Sequence, residues 1–311
     1  MSDERATTTE CGDGMTAFIP PGSPEWLTHI TPSKVAAILG VSRYESPYRL
    51  WHRMKGLLPP EPPQDIFAVG HDFEPALASI WRRKNAGWRL SQGEVQLHNS
   101  DLPFPNAATL DRRASRGTHR RVVEFKTARH LEDWGDEFTD QAPSDYAAQV
   151  IFQMVVSGYT RWPAHLLVMG PYFNDHLYEI PYDATIADSI IARCQSFHDS
   201  LASDTPPPLD DSVATYEAVR QLHPDINAGE IAEIKPTLAC AVVDWHVEQS
   251  NAAKSLLGHK TRLLDAMGNA QIAECGGITV AKRTPGARGA VSLRIESKNH
   301  QALHDANRGA W

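Results

Sequence analysis

The chain has 311 residues, of which 41% are hydrophobic and 22% charged, and its formal net charge is −8. A chain of this length can bury a sizeable core in one large or two modest domains, whereas its negative charge argues against a protein that coats nucleic acid over its whole surface. No apolar run approaches the roughly 20 residues that span a bilayer, and four scattered cysteines without C-x-x-C pairs indicate neither a cysteine-ligated metal nor a disulfide framework.

The first two thirds of the chain predict a polar arm followed by mixed helices and strands. Residues 1–24 are rich in Thr, Gly and Pro without periodicity, so we expect a disordered arm that is neither a signal peptide nor a transit peptide. Thr31-Pro32-Ser33 opens an apolar-periodic segment that stops at Gly40, which predicts a helix. Periodicity and turn signals predict these further elements: helix 46–56, a proline-rich loop at 58–63, helix 67–84, strands 93–98 and 107–110, a hairpin turn at 116–119, strand 122–126, helix 144–157, strands 164–169 and 176–180, and helix 184–202.

The proline run Thr205–Pro208 is the best candidate for a domain boundary, because consecutive prolines form a semi-rigid spacer. Beyond it, apolar positions between Ile231 and Met267 predict a long helix or helical pair, followed by a Gly-Gly turn and a strand at 278–282. We therefore predict these segments: a disordered arm over 1–24, a compact core over 25–203, a proline-rich linker over 204–230, a helical region with a strand over 231–283, and a weakly ordered tail over 284–311.

Three charged residues around the predicted hairpin indicate chemistry. Asp111 ends one strand, and Glu124 and Lys126 lie two positions apart on the next strand, so they share a face. A hairpin brings the end of the first strand beside the middle of the second, where the three side chains can converge. Two carboxylates are hard oxygen ligands for Mg²⁺, for which Mn²⁺ can substitute, and an ammonium group can orient a nucleophile or stabilise a developing oxyanion. The pattern therefore predicts metal-assisted hydrolysis.

An isolated D…E-x-K pattern has a second interpretation, in which Glu124 and Lys126 form an ion pair on the face of a surface strand. The surrounding sequence favours a site, because Glu74 lies on the preceding helix and Gln149 lies on the helix after the strands. Basic residues also flank the acidic centre: Arg112, Arg113, Arg116, Arg120, Arg121, Lys126 and Arg129.

Five blocks, in this order, carry a family resemblance: ITPSKVAAILG at 30–40, GHDFEP at 70–75, ATLDRR at 108–113, VEFKTA at 123–128 and YAAQVIFQM at 146–154. Together they resemble the YqaJ-type viral recombinases, a lambda-exonuclease-like branch of the PD-(D/E)XK nuclease superfamily, over about residues 25–200. The resemblance implies an α/β (α+β) fold with a restriction-endonuclease-like core, in which a central mixed sheet is flanked by helices, and a mainly helical carboxyl-terminal extension.

The resemblance also implies roles for individual residues. Asp111, Glu124 and the backbone carbonyl of Phe125 resemble the metal ligands, and Glu74 resembles a helix carboxylate that assists the metal site. Lys126 resembles the catalytic lysine, and Gln149 the glutamine near the scissile phosphate. Ser33 resembles a serine that contacts the 5′-terminal phosphate, for which a helix amino terminus is suited. We expect further DNA contacts from these residues: Arg43, Arg112, Arg113, Tyr146 and Gln153.

Three positions depart from the family pattern. The residue after Asp111 is commonly Gly but is Arg112 here, and the turn must differ because Gly is absent. A second glutamine often found two residues after Gln149 is Ile151. The arginine that frequently precedes the Ile-Thr-x-Ser block is missing, and Arg43 or Arg49 is the alternative source of that charge.

The resemblance implies an Mg²⁺-dependent 5′→3′ exonuclease on double-stranded DNA ends. Such an enzyme makes single-stranded tails for a single-strand annealing protein in phage-type recombination, and the family's exonucleases form ring-shaped trimers. We expect it in the cytoplasm of a bacterium or a phage-infected host. Two alternatives stay open: an endonuclease or nickase on the same core, and a non-catalytic DNA-binding or assembly protein that keeps the fold.

Overall fold

A computed structural model describes residues 8–9, 18–59, 65–285 and 291–308 of the chain. The chain divides into two compact units, Met1–Ile226 and Asn227–Trp311. Within the described part of the chain, no helix combines the length and the apolar character that a bilayer crossing requires.

The first unit contains seven helices and eight strands among its described residues. The helices are α1 (Pro24–Thr28), α2 (Pro32–Leu39), α3 (Pro47–Met54), α4 (Asp65–Lys84), α5 (Ser144–Ser157), α6 (Ala184–Ala202) and α7 (Val213–Leu222). The strands are β1 (Thr8–Thr9), β2 (Arg89–Leu90), β3 (Val95–Leu97), β4 (Ala108–Leu110), β5 (Arg112–Arg116), β6 (His119–Thr127), β7 (Ala164–Met169) and β8 (Asp175–Ile180).

The central sheet has five strands in the order β2-β5-β6-β7-β8. Strands β6 and β7 are parallel, and the other neighbours are antiparallel, so the sheet is mixed. Helix α4 packs on one face through Leu77 and Trp81, against Val123 and Phe125 of β6. Helix α5 packs on the opposite face, and its Phe152 belongs to the larger apolar cluster there. The predicted mixed sheet flanked by helices is confirmed.

The strand on the amino side of the hairpin is divided at Asp111. Strand β4 pairs with β3 in a separate three-stranded sheet, whereas β5 pairs with β2 and β6 in the central sheet. Asp111 is the single residue between β4 and β5, so the chain passes from one sheet to the other at this carboxylate. The predicted hairpin follows, since Arg116 pairs with His119 across a two-residue turn in which Gly117 has φ +58°, a conformation that favours glycine.

Helix α2 begins and ends where the sequence predicts. Thr31 is the N-cap residue, Pro32 occupies the first turn, and Gly40 ends the helix in the left-handed conformation with φ 75°. The hydroxyl of Thr31 does not cap the helix backbone and instead lies 3.2 Å from the Ser33 hydroxyl.

The structure differs from the predicted segments in three places. Residues 204–230, predicted as a linker, contain α7, whose Thr215 hydroxyl donates to the buried Ser46 hydroxyl at 2.7 Å. Within the predicted arm, Thr8–Thr9 pairs with β3, and Ile19 is buried and exchanges hydrogen bonds with the Gln96 side chain; the remaining residues of 1–17 lie outside the described residues. Residues 284–311, predicted as a weakly ordered tail, contain a strand and a helix.

The second unit consists of a long helix and a small sheet. Helix α8 (Pro236–Met267) is followed by β9 (Ile272–Cys275), β10 (Ile278–Pro285) and β11 (Val291–Ile295), which pair antiparallel in the order β11-β10-β9. The described chain ends with α9 (His300–Ala306) and two further residues. The predicted mainly helical extension is confirmed, with two more strands than the sequence pattern indicates.

Candidate metal and nucleic-acid site

Asp111 and Glu124 face each other where the strands β4 and β5 meet. Arg112, the first residue of β5, pairs with Val123 of β6 in an antiparallel ladder. Asp111, just before β5, is therefore level with Glu124, just after Val123 on β6. The Phe125 backbone N–H donates to Asp111 Oδ2 at 2.7 Å, so the carboxylate is fixed to the neighbouring strand. Among the described residues, no hydrogen bond engages the other oxygen of Asp111. This arrangement leaves one carboxylate oxygen for a ligand.

Glu124 is the most enclosed acid of the site, with 2% of its surface exposed. Gln149 Nε2 donates to Glu124 Oε1 at 2.5 Å, and Lys126 Nζ donates to the same oxygen. Gln153 Nε2 donates to Oε2 at 2.7 Å and to the Thr109 carbonyl at 3.3 Å. A buried carboxylate is costly unless it is hydrogen-bonded, and here three donors on two elements, β6 and α5, supply those hydrogen bonds.

Helix α5 supplies one face to this site. Tyr146, Gln149 and Gln153 are spaced three and four residues apart, so their side chains lie along one side of the helix. The Tyr146 ring lies 5.5 Å from Lys126 Nζ and 5.1 Å from the Arg43 guanidinium. Arg43 forms a two-point ion pair with the buried Asp145 at 2.9 and 3.3 Å. The pair ties the loop after α2 to the first turn of α5.

Helix α4 contributes Glu74 from the other side of the sheet. His71 Nδ1 donates to Glu74 Oε1 at 2.8 Å, and Arg112 Nη1 donates to Oε2 at 3.3 Å. Arg112 also donates to the Asp111 carbonyl, and its guanidinium lies 5.8 Å from the Phe125 ring. Arg112 therefore joins Glu74 to the strand residues on which the two carboxylates are mounted.

The acids and the lysine shift one another's protonation. Burial raises the pKa of Asp111 well above its ordinary value, Glu124 and Glu74 raise it further, and Lys126 and the Phe125 N–H oppose them. Burial lowers the pKa of Lys126, but the carboxylates of Glu124 and Asp111 outweigh burial and raise it above the ordinary value. Lys126 therefore keeps its charge at neutral pH, and Asp111 holds a proton more readily than an exposed carboxyl.

The donor set fits a hard divalent cation. Asp111, Glu124 and Glu74 offer only oxygen, and burial together with the charges of Glu124 and Glu74 raises the pKa of Asp111, an effect that a bound cation would oppose. Among the described residues, a second group of ligand atoms, from His71, Glu74 and Glu94, lies within 4.8 Å of one another. Glu74 belongs to both sets.

The structure brings most of the predicted site residues together. Hydrogen bonds and ion pairs join Glu74, Arg112, Asp111 and the Phe125 backbone in one set, and Glu124, Lys126 and Gln149 in a second set on the same strand, β6. Arg43 and Tyr146 adjoin the second set through the Tyr146 ring. Ser33 is an exposed residue in the first turn of α2, and Arg113 is partly exposed on β5.

Two residues predicted to contact DNA are buried. Gln153 is 0% exposed and Arg112 is 6% exposed, and a side chain needs access to solvent before it can reach a phosphate. Gln153 faces Glu124, because it follows Gln149 by one helical turn and both lie on the side of α5 that packs against β6. Arg112 faces Glu74. The structure therefore replaces a predicted DNA contact at each position with a contact to a site carboxylate.

The sequence prediction omits three residues that the site uses. His71 bonds to Glu74, and its spacing of three residues on one predicted helix was a usable signal. Asp145 holds Arg43, and Glu94 lies near His71 and Glu74. These two contacts join residues that are distant in sequence, and no local pattern indicates them.

Comparisons with known proteins follow the same segment. A family model described as the YqaJ-like viral recombinase domain matches residues 25–160. The uncharacterized protein YqaJ of Bacillus subtilis (strain 168) is 26% identical over 213 residues, or 63% of this chain and 62% of that protein. The chain thus spans about 62% of the length of the curated relative that it matches.

Solved structures show weaker likeness. An alkaline exonuclease (LHK-Exo) from Laribacter hongkongensis is similar with a TM-score of 0.44 at 16% identity, covering 57% of this chain and 90% of that chain. The Holliday junction resolvase Hjc of Archaeoglobus fulgidus has a TM-score of 0.21 at 16% identity, covering 36% of this chain and 73% of that chain. The match of the family model confirms the resemblance predicted from the sequence, and its range contains every predicted site residue from Ser33 to Gln153.

Proposed function

We propose that the chain is a metal-dependent deoxyribonuclease whose cleavage centre is Asp111, Glu124 and Lys126, in the segment that the YqaJ-like viral recombinase model matches, residues 25–160. The observation that carries the proposal is the convergence of these three side chains. Asp111 is bonded to the backbone of Phe125, and Glu124 and Lys126 are bonded to each other. Two carboxylates and one ammonium on neighbouring strand positions are the groups that metal-assisted hydrolysis of a phosphodiester requires.

We propose Mg²⁺ as the physiological ion, with Asp111, Glu124 and the Phe125 carbonyl as its ligands and Glu74 as an accessory carboxylate. Mn²⁺ would substitute, because both ions take carboxylate oxygens. When bound, the ion supplies positive charge against the phosphate and makes water more acidic. Gln149 and Gln153 orient Glu124, and the hydrogen bond from Phe125 orients Asp111. A site held by such outer contacts keeps its geometry as substrate enters.

Lys126 acts on the reacting phosphate in this proposal. Its charge persists at neutral pH, since the neighbouring carboxylates raise its pKa. A fixed ammonium beside the cleaved bond stabilises the negative charge that develops on the phosphoryl oxygens and orients the attacking water. The Tyr146 ring over the ammonium confines its position.

We propose that the substrate is the end of double-stranded DNA, degraded in the 5′→3′ direction. The support is the family together with Ser33, whose hydroxyl stands exposed in the first turn of α2, where backbone N–H groups favour a phosphate. The same proposal has three further parts. The partner is a single-strand annealing protein, the assembly is a ring-shaped trimer, and the location is the cytoplasm of a bacterium or a phage-infected host.

The test compares linear duplex DNA carrying a 5′-phosphate with the same duplex carrying a 5′-hydroxyl, each incubated with Mg²⁺. We expect faster degradation of the phosphorylated duplex, and we expect the Ser33→Ala variant to narrow the difference. Equal rates for both duplexes with the unaltered chain would contradict recognition of the 5′ end, while leaving the cleavage centre intact.

A second function on the same centre is endonucleolytic cleavage or nicking. The observation that favours it is the two-point ion pair of Arg43 with Asp145, which engages the arginine otherwise available for a terminal phosphate. Covalently closed circular DNA separates the two functions, since an end-dependent exonuclease leaves it uncut. Relaxation or linearisation of the circle would establish the second function.

A further inference from the structure

A cluster of two arginines and two tryptophans lies at the hairpin end of the central sheet, away from the carboxylates. The Arg116 guanidinium lies 4.9 Å from the Trp88 ring and 5.3 Å from the Trp162 ring. The Arg121 guanidinium lies 4.7 Å from Trp88 and 5.8 Å from Trp162. The two indoles meet edge to face at 5.8 Å. Both cations are therefore held against the same pair of rings.

The pairing of the strands produces this cluster. In the β5–β6 ladder Arg116 is opposite His119 and Ala114 is opposite Arg121, so both arginines project from the face of the sheet that α4 covers. Trp88 directly precedes β2, which pairs with β5, and Trp162 lies shortly before β7, which pairs with β6. Neighbouring strands thus deliver all four side chains to one end of the sheet.

The cluster holds two positive charges, and one carboxylate, that of Glu179, lies close to it. Among the described residues, no acid forms an ion pair with Arg116 or Arg121; Glu179 lies 3.4 Å from His165, and its charge acts to raise the pKa of Arg121. Arg121 is 6% exposed, and Arg121 Nη1 contacts the His165 ring, which is uncharged at neutral pH because burial lowers its pKa to about 3. Burial also lowers the pKa of Arg121, and although Glu179 opposes this, Arg116 adds to it.

Two buried donors in the cluster have no acceptor. Arg121 Nε and Trp162 Nε1 are enclosed and make no hydrogen bond with the described residues. Buried polar groups are nearly always hydrogen-bonded, and each exception calls for an explanation. Both unpaired atoms are donors and bring no negative charge to the cluster, so the cluster favours an anion at its exposed member, Arg116.

Access to the cluster is through Arg116, which is exposed, while Arg121 and the Trp162 N–H lie behind it. Each tryptophan is also next to an exposed arginine in the chain, since Arg89 follows Trp88 and Arg161 precedes Trp162. A single free phosphate would neutralise only one of these exposed arginines. A chain of phosphates would neutralise several, as the backbone of DNA does.

We propose that the exposed Arg116, held against Trp88 and Trp162 in front of the buried Arg121, forms a second DNA-binding site that contacts a backbone phosphate of the substrate away from the cleavage centre. This inference rests on the proposed function for the identity of the polyanion. Arg116 is five residues beyond Asp111, about 17 Å along the strand direction, and this odd spacing places the two side chains on opposite faces of the sheet. The site would therefore hold a phosphate at least about five nucleotides of one DNA strand from the cleaved bond. It would add its own contribution to affinity.

The experiment measures binding separately from cleavage. The full chain with Lys126→Ala, which we expect not to cleave, is titrated with a labelled duplex of about 30 base pairs at salt concentrations from about 50 to about 200 mM. Adding Arg116→Ala removes one phosphate contact, so we expect weaker binding and a reduction of about 0.9 in the slope of log K against log salt. Arg116→Lys retains the charge and the slope.

The matched control is Arg193→Ala, an exposed arginine on α6 of the same unit, which we expect to leave the slope unchanged. Equal slopes for the Arg116→Ala and Arg193→Ala proteins would overturn the inference. The proposed function is tested apart from it, because an unaltered chain that binds DNA through Arg116 but never cleaves it would contradict the nuclease and not this site.

Discussion

Glu124 is the residue around which the proposed cleavage centre is organised. Its carboxylate is almost fully buried, and its two oxygens receive donors from Lys126, Gln149 and Gln153. An ionised carboxylate in this position is tolerated only because those donors and the lysine charge replace the water it has lost. The same donors fix the direction in which Glu124 meets a cation.

Gln153 should therefore matter for activity although it cannot touch the substrate. We predict that Gln153→Leu, which keeps the volume and removes the donor to Glu124 Oε2, lowers kcat about 10- to 100-fold, as for other residues that orient a metal ligand. The unpaired carboxylate oxygen also costs about 1–3 kcal/mol of unfolding free energy. Steady-state degradation of linear duplex and urea unfolding measure the two effects.

The control for this substitution is Gln221→Leu on α7, where the glutamine is exposed. We expect the Gln221→Leu protein to keep normal kcat and stability. If Gln153→Leu also left kcat unchanged, Gln153 would be a packing residue and would not orient Glu124.

Asp111 provides a dependence on pH. Its pKa is raised in the folded chain, chiefly by burial and by Glu124, so the folded state holds a proton that the unfolded state releases. The contribution of Asp111 to stability is then largest at acidic pH and falls as the pH rises from the ordinary carboxyl pKa through the raised one. The Asp111→Asn variant cannot lose this proton, so it avoids the fall in stability at higher pH. The amide oxygen of the asparagine can still accept a hydrogen bond from the Phe125 N–H.

We predict that without divalent metal at about pH 8, well above the ordinary carboxyl pKa, the Asp111→Asn protein has a higher Tm than the unaltered chain. The difference should shrink as the pH is lowered towards about 4. Mg²⁺ should raise the Tm of the unaltered chain and leave that of the variant nearly constant. Thermal unfolding of both proteins over this pH range, with and without Mg²⁺, measures these differences in Tm. Equal responses of both proteins to Mg²⁺ would remove Asp111 from the ligand set.

At the scale of elements, the central sheet and α4 give the site its foundation. Trp81 on α4 is 0% exposed and packs against the strand that carries Glu124. Its indole N–H donates to His165 Nδ1 at 3.0 Å, which joins α4 to β7. Glu74 lies about two helical turns before Trp81 on α4, so its position depends on this packing.

We predict that Trp81→Ala lowers the free energy of unfolding by about 3–5 kcal/mol, because it leaves a large cavity and removes the hydrogen bond from the indole to His165. Tyr172→Ala is the control, since Tyr172 is 98% exposed and surface changes usually stay within about 0.5 kcal/mol. Urea unfolding monitored by circular dichroism measures both. Similar losses in the two proteins would show that α4 contributes little to stability.

The sequence predicted most elements of the first unit because their patterns are local. Helix α2 follows from its Pro32 and Gly40 boundaries, and the hairpin follows from the β-branched run before Glu124. The division at Asp111 was not predictable, since it depends on which neighbours β4 and β5 find. Helix α7 was also missed. The nearby proline run suggested a linker, whereas its contact with Ser46 joins residues 169 apart in sequence.

The same distinction applies to the site. Asp111, Glu124 and Lys126 were predicted from spacing on paired strands, where the geometry is regular. The burial of Gln153 and Arg112 depends on how α5 and α4 pack against that sheet, and a charged or amide side chain on its own does not reveal its neighbours. These two residues, which the sequence predicted as DNA contacts, therefore face Glu124 and Glu74 instead.

At the scale of the whole molecule, a net charge of −8 coexists with a proposed DNA substrate. Binding of phosphates depends on the local field and on counterion release, so a few gathered cations are sufficient. Arg116 and Arg121 at the hairpin and Lys126 at the cleavage centre provide two such positions on one sheet. The acidic remainder limits non-specific attachment elsewhere on the surface.

The cleavage centre itself is tested most directly by the conservative variant Glu124→Gln beside Lys126→Ala. Each is assayed on linear duplex DNA with Mg²⁺, and circular dichroism verifies that each protein is folded. We predict that the unaltered chain degrades the duplex, that chelation of the metal stops it, and that both variants lose at least about 100-fold in rate. Degradation at the normal rate by either folded variant would contradict the assignment of Asp111, Glu124 and Lys126 as the catalytic centre.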